Sequence, residues 1–444
     1  MRYRGVVNRF SAILAAIISI GIAQDNLSAA TCPCDIYATA GQPCVAAYST
    51  VRLLLSTYTG PLYQVRATAN NATTDVYPLS GGTVANSATQ DAFLNGGAGT
   101  ISKLYDQSGK NNHLVKAGQG GSANTNGDKE SNATGKSFYI AGHKAYALYM
   151  GTGEGYRNAA PTSIPTGTAA QGIYAVEDGS RANVGCCCCY DFGNAETNFQ
   201  ADGTGSMDAL YFGVGYWGKG NGAGPWFMGD FEAGVWSGGG GGYSTNTADP
   251  SMTMAYAFGI LKTNTGPDYC IRVANATSGN ITNVYDGAFE LPWKLGGAII
   301  LGIGGDNSNS STGTFYEGVV TAGRPSNATD SLILKNVQAA GYGVTAATSP
   351  GATKDAATTP LFKVNYNPSN ASAVISYTLL DARHVSMNIV DEQGRQIASI
   401  VQGVMSAGPH EAVWDAKRVP TGVYICRITI DGRKGATEKI IVQK

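Results

Sequence analysis

Short apolar runs set between glycine turns constrain this chain more than any other feature. The segments 144–149, 172–177, 208–213, 225–231, 252–261, 297–303 and 314–321 each read as a strand. Many short strands punctuated by turn residues point to a β-sandwich or barrel. The 60 glycines, 16 prolines and 14% charged residues suit loops and short strands better than helices. Few helices are expected: one over 45–58, from Val51, Leu53, Leu54, Leu55 and Tyr58; a turn at 91–97; and one over 330–341. In the last, Leu332, Leu334, Val337 and Ala340 fall near helical spacing.

The N-terminus reads as an export leader, residues 1–30. Arg2, Arg4 and Arg9 precede an apolar run from Phe10 to Ala23, and Ser28-Ala29-Ala30 offers small residues for cleavage. That run is shorter than the roughly 20 residues a spanning helix needs. A secreted or cell-surface protein without stable membrane insertion is expected. Export changes the meaning of the nine cysteines, because exported cysteines are usually paired. Cys34 and Cys44 could close a short loop. Cys186-Cys187-Cys188-Cys189 is more unusual. Adjacent side chains of a strand point to opposite faces, which opposes convergence on a soft metal. Neighbouring cysteines can form a strained vicinal disulfide; ordinary long-range disulfides are the alternative.

Composition shifts at Gly343. Residues 343–360 are mostly Ala, Thr, Ser, Gly and Pro and read as a linker. Residues 361–444 alternate like strands at 374–379, 385–390, 411–414, 422–430 and 438–442. A small sandwich of immunoglobulin type is expected there. The large domain occupies 31–342.

A formal net charge of −1 without a basic patch argues against nucleic acid as a partner. Of the histidines, only His113 and His143 fall in the large domain, and neither sits in a triad or metal-binding pattern. Gly302-Ile303-Gly304-Gly305 runs into Asp306-Asn307-Ser308-Asn309 rather than a helix, unlike a dinucleotide loop. No cofactor or metal is expected. Carboxylates carry the stronger signal. Asp230 and Glu232 end an aromatic strand and share one face. Asp306 sits in a glycine-flanked loop just after an apolar strand, where a rigid scaffold presents working groups. Two carboxyls from such loops can hydrolyse a glycosidic bond; a plain turn or a calcium loop at Asp306 is the alternative. Trp217, among glycines, could stack on a sugar or fill the core.

These motifs resemble one family. Residues 188–196 (Cys-Cys-Tyr-Asp-Phe-Gly-Asn-Ala-Glu), 43–50, 105–109 with Asn112-His113, and 302–318 resemble hallmarks of the α-L-arabinofuranosidase B family, glycoside hydrolase family 54. The resemblance implies a concanavalin-like β-sandwich and a retaining mechanism. It implies Glu232 as nucleophile and Asp306 as general acid/base. It implies Asp230, Trp217, Cys188, Cys189, Gly305 and Asn307 as substrate-binding residues, and disulfides Cys34–Cys44 and Cys188–Cys189. Ala233 stands where the family has asparagine, and Cys186 and Cys187 are additional. In place of the family's β-trefoil, residues 361–444 resemble the bacterial C-terminal module related to hook-capping and secretion-sorting domains. The expected protein is a bacterial, monomeric exo-acting enzyme. It would release arabinofuranosyl units from plant polysaccharide side chains, and its module would contact secretion machinery or the cell surface. The alternatives are a non-catalytic glycan-binding surface protein, or a furanosidase or xylosidase of other sugar specificity.

Overall fold

In the computed structural model the described residues are 32–345 and 362–443, apart from 122–126, 183–188, 204, 216, 233, 240–243, 266–267, 290–293, 369, 380–382, 406–407 and 431–432. The expected leader, Cys188 and Ala233 therefore lie outside the described residues, as does most of the expected linker.

The apolar runs form two stacked sheets. The first orders strands Cys44–Ser49, Gly313–Ala322, Gln171–Glu177, Ala257–Thr263, Asp268–Asn275 and Ser278–Ala288, with Leu148–Met150 also paired to Gly313–Ala322. The second orders Val235–Trp236, Trp226–Asp230, Asp208–Gly213, Asp191–Ala195, Ala298–Leu301, Tyr156–Asn158 and Val115–Lys116. Strand period decides which side chain meets which layer. Ile173 and Ala175 join Phe192, Leu210, Phe212, Phe227, Ile299 and Leu301 between the sheets. Tyr174 and Val176 point the other way, onto Ile333, Leu334 and Val337 of helix Asn327–Ala339. With both faces covered, Gln171–Glu177 is buried throughout, as the apolar run 172–176 requires.

The outer face of the second sheet is different. Gly193, Ala195 and Ala209 keep it low near its centre, while Asp191 and Asp230 project from the same face at the ends of their strands.

The helix over 45–58 is a correction: Cys44–Ser49 is a strand paired with Gly313–Ala322, and turns follow it. Its apolar residues are dense because both faces are covered, not because one helical face is. The turn at 91–97 is the end of helix Ser87–Leu94. The later helix begins earlier than its apolar spacing suggests, because the Ser326 hydroxyl caps it by accepting from Thr329 N–H at 3.1 Å. The Cys34–Cys44 disulfide is present. The C-terminal residues form a three-stranded and a four-stranded sheet around Ile375, Tyr377, Met387, Ile389, Trp414, Cys426 and Ile428. Two strands there, Phe362–Asn367 and Gln396–Met405, were not anticipated.

Candidate active site

Three chain segments bring acids to the outer face of the second sheet. Strand Trp226–Asp230 ends on Asp230, which is 4% exposed. Two residues on, the Glu232 N–H donates to Asp230 Oδ1 at 3.0 Å. This Asx turn accompanies a Glu232 φ of +60°, in the left-handed region that side-chain-bearing residues rarely occupy. Strand Asp191–Ala195 contributes Asp191 at its start and Glu196 just past its end, both buried. The loop after Ala298–Leu301 supplies Asp306, whose Oδ1 accepts from Ser308 N–H at 3.0 Å and from the Ser308 hydroxyl.

The loop fits closely against this acidic floor. A Cβ on Gly305 would lie 1.9 Å from Glu196 Oε2, so any larger residue has to displace that carboxylate. Asn307 is fully buried, and its amide donates to Gly118 O at 2.8 Å. In this structure its side chain braces the loop from below. Arg157 donates to the Gly305 carbonyl at 2.7 Å and to the Glu196 carbonyl, with its guanidinium over the Phe199 ring. Trp217 is partly buried and packs against the cluster of Tyr211, Trp226, Met228 and Val235 on the same sheet face.

The electrostatics are those of crowded acids. Burial, then Glu196 and Asp230, push the Glu232 carboxyl well above the carboxylate range, with a hydrogen bond to Glu196 and the charge of Asp306 adding to this. Burial raises Asp230 as well, against the Glu232 N–H that favours its charged form. Burial and the neighbouring Asp230 raise Asp191. Burial lowers Arg157 to about 10, opposed by Glu196 and Asp306. Cys189 Sγ lies 3.5 Å from Asp230 Oδ2 and is disulfide-bonded. It therefore offers no thiolate to a metal, although Cys189, Asp191 and Asp230 lie close together. The arrangement gathers Asp230, Glu232, Gly305 and Asp306, all singled out by sequence, with Cys189 against Asp230. Sequence reasoning missed Asp191, Glu196 and Arg157 as site residues. The two acids stand inside the 188–196 motif, so that motif carried the signal; Arg157 had none.

A family model described as α-L-arabinofuranosidase B, catalytic, matches residues 33–343. The chain belongs to the α-L-arabinofuranosidase B catalytic family. An α-L-arabinofuranosidase of Hypocrea jecorina is 48% identical over 345 residues, covering 76% of this chain and 68% of that protein. A probable α-L-arabinofuranosidase B of Aspergillus clavatus is 46% identical over 345 residues, covering 76% and 67%. The chain thus spans about two thirds of the length of these relatives. A crystal structure of an arabinofuranosidase complexed with arabinofuranosyl-α-1,2-xylobiose matches with a TM-score of 0.68 at 38% identity, covering 82% of this chain and 76% of that one. The arabinofuranosidase B family thus accounts for the large sandwich. A secretion system C-terminal sorting domain matches residues 364–443.

Proposed function

We propose that this arabinofuranosidase B family member removes terminal α-L-arabinofuranosyl residues from plant polysaccharide side chains, as an exo-acting retaining hydrolase. Glu232 is the nucleophile and Asp306 the general acid/base. The observation that carries the reading is Glu232 itself, held at φ +60° by Asp230 in the same acidic pocket that Asp306 enters from above. Glu232 attacks the anomeric carbon while Asp306 protonates the leaving oxygen; Asp306 then deprotonates the water that releases the sugar. Retention requires the two carboxyls about 5–5.5 Å apart. In the resting site, burial and the neighbouring acids favour the protonated Glu232 carboxyl. The positive charge that develops on the sugar favours the ionised nucleophile.

Asp230, Gly305 and the Cys188–Cys189 pair are proposed to line the sugar subsite, with Trp217 and Asn307 at its margin. The arabinofuranosyl-xylobiose bound by the similar enzyme supports arabinoxylan side chains as one substrate. The sorting domain supports secretion or a cell-surface location; a bacterial source is proposed from the resemblance of residues 361–444 alone. Residues 1–30 are proposed as leader, 343–360 as linker and the enzyme as a monomer. Among the described residues no helix is long and apolar enough to cross a membrane.

Hydrolysis of an aryl α-L-arabinofuranoside, beside aryl β-xyloside and β-galactofuranoside, tests the reading. Glu232→Gln should abolish turnover with the fold intact. Asp306→Asn should lower kcat roughly 10²–10⁴-fold. Folded, oxidised wild type that cleaves none of the three would instead favour a sandwich that binds glycan without cutting it.

A further inference from the structure

We propose that Asp191 is a positioning residue, which shares one proton with Asp230 and so clamps Asp230 beneath Glu232. The role rests on Glu232 being the nucleophile. Asp191 is 1% exposed, and no N–H or hydroxyl among the described residues donates to either of its carboxylate oxygens, whereas its side chain pairs with that of Asp230. One carboxylate oxygen of Asp191, one of Asp230 and the sulfur of Cys189 lie within 4.8 Å of one another. That sulfur is disulfide-bonded and carries no proton. The charged groups acting on Asp191 are Asp230 and Glu232, from the end of strand Trp226–Asp230, and Asp306, from the loop beyond Ala298–Leu301. All are acids. The cation of the site, Arg157, instead contacts the Glu196 and Gly305 carbonyls. From the strand alongside, Tyr211 stands opposite Asp191, and its hydroxyl donates to Val214 O at 3.3 Å.

Two buried carboxyls this close, facing only acids, do not both ionise. A proton on Asp191 gives it a donor, and Asp230 is the acceptor within reach. Asp230 then receives a hydrogen bond from Asp191 below and from the Glu232 N–H at 3.0 Å above. The clamp holds the turn that keeps Glu232 in its left-handed conformation. Loss of the proton sets two negative charges side by side and loosens that turn.

The test compares wild type, Asp191→Asn and Asp191→Ala in full-length, oxidised enzyme. Readouts are kcat and KM on an aryl α-L-arabinofuranoside across pH, and infrared spectra at pH 7. The asparagine amide donates as the acid does but cannot titrate. Asp191→Asn should therefore keep kcat within roughly tenfold of wild type and extend activity to higher pH. Asp191→Ala should lose roughly a hundredfold in kcat with little change in KM, because the nucleophile is misplaced while the pocket remains. The wild-type minus Asp191→Asn spectrum should show a protonated-carboxyl C=O stretch. The proposal is overturned if that band is absent, if asparagine is as damaging as alanine, or if the alkaline limb of Asp191→Asn matches wild type. Should Asp191→Ala not fold, the asparagine variant and the spectrum still decide. Inactive wild type with the band present would retain the shared proton and remove the hydrolase reading.

Discussion

Glu232 shows how a single residue combines several costs. Its backbone is strained, its carboxyl is largely removed from water, and its near neighbours Glu196 and Asp230 are acids. Replacing it with glycine relieves both strain and like charge. Glu232→Gly should be inactive yet unfold at a higher temperature than wild type, which differential scanning calorimetry would show. Arg157 carries the opposite burden, as the cation that bonds two buried carbonyls of the site. Arg157→Met should lower kcat/KM at least about tenfold and cost about 1–3 kcal/mol of stability, read by urea denaturation beside the kinetics. The sequence displayed Glu232, Asp230 and Asp306 because acids at the ends of apolar strands stand out locally. Asp191 and Glu196 were overlooked because the cysteines drew attention within their shared motif, and their importance depends on which sheet face they occupy. Arg157 was not legible at all: it comes from a three-residue strand, and its partners lie 39 and 148 positions away.

Elements hold this site through close approach. The Gly305 loop lies so near Glu196 that an added methyl has no space, with Met207 Sδ only 2.7 Å from the same Cβ position. Gly305→Ala should lift the Asp306 loop and reduce kcat more than tenfold while the protein remains folded, an outcome that kinetics with a circular-dichroism control would verify. In the first sheet, the Cys34–Cys44 link ties helix Pro33–Thr39 to strand Cys44–Ser49 across a ten-residue separation. Its removal by Cys34→Ser with Cys44→Ser should destabilise the fold by about 3 kcal/mol with unchanged KM. Strands bounded by glycine were read well, since period and turn residues agree there. The failure at 45–58 arose because a strand covered on both faces has no alternation to reveal it, and because the turns that follow bury Val51, Leu53 and Leu54 at a spacing that resembles a helix. The missed strand Gln396–Met405 failed for the opposite reason: it is an edge strand without a buried residue, so its weak pattern resembled a loop.

At the scale of the molecule, buried acids outside the candidate site contribute to the pH response. Burial raises Asp128 to about 6, Asp208 to about 7 and Asp249 to about 8. Unfolded, each would titrate near about 4. Between those values the folded chain holds protons that the unfolded chain has released. Stability therefore falls as pH rises from about 4 to 8, by at most about 1.4 kcal/mol per pH unit for each proton held. The melting temperature should be higher at pH 5 than at pH 8, and a flat profile would count against these protonated carboxyls. The abrupt change of composition at Gly343 is local and can be read from sequence, whereas the convergence of 157, 191, 196, 232 and 306 depends on a long-range sheet order that local patterns do not encode. The disulfide-bonded sulfur beside Asp230 ties catalysis to geography. In a reducing environment that bond opens, and a thiol stands beside Asp230 in place of a half-cystine. Reduced protein should therefore turn over an aryl α-L-arabinofuranoside more slowly than oxidised protein, which kinetics with and without a thiol reductant would show.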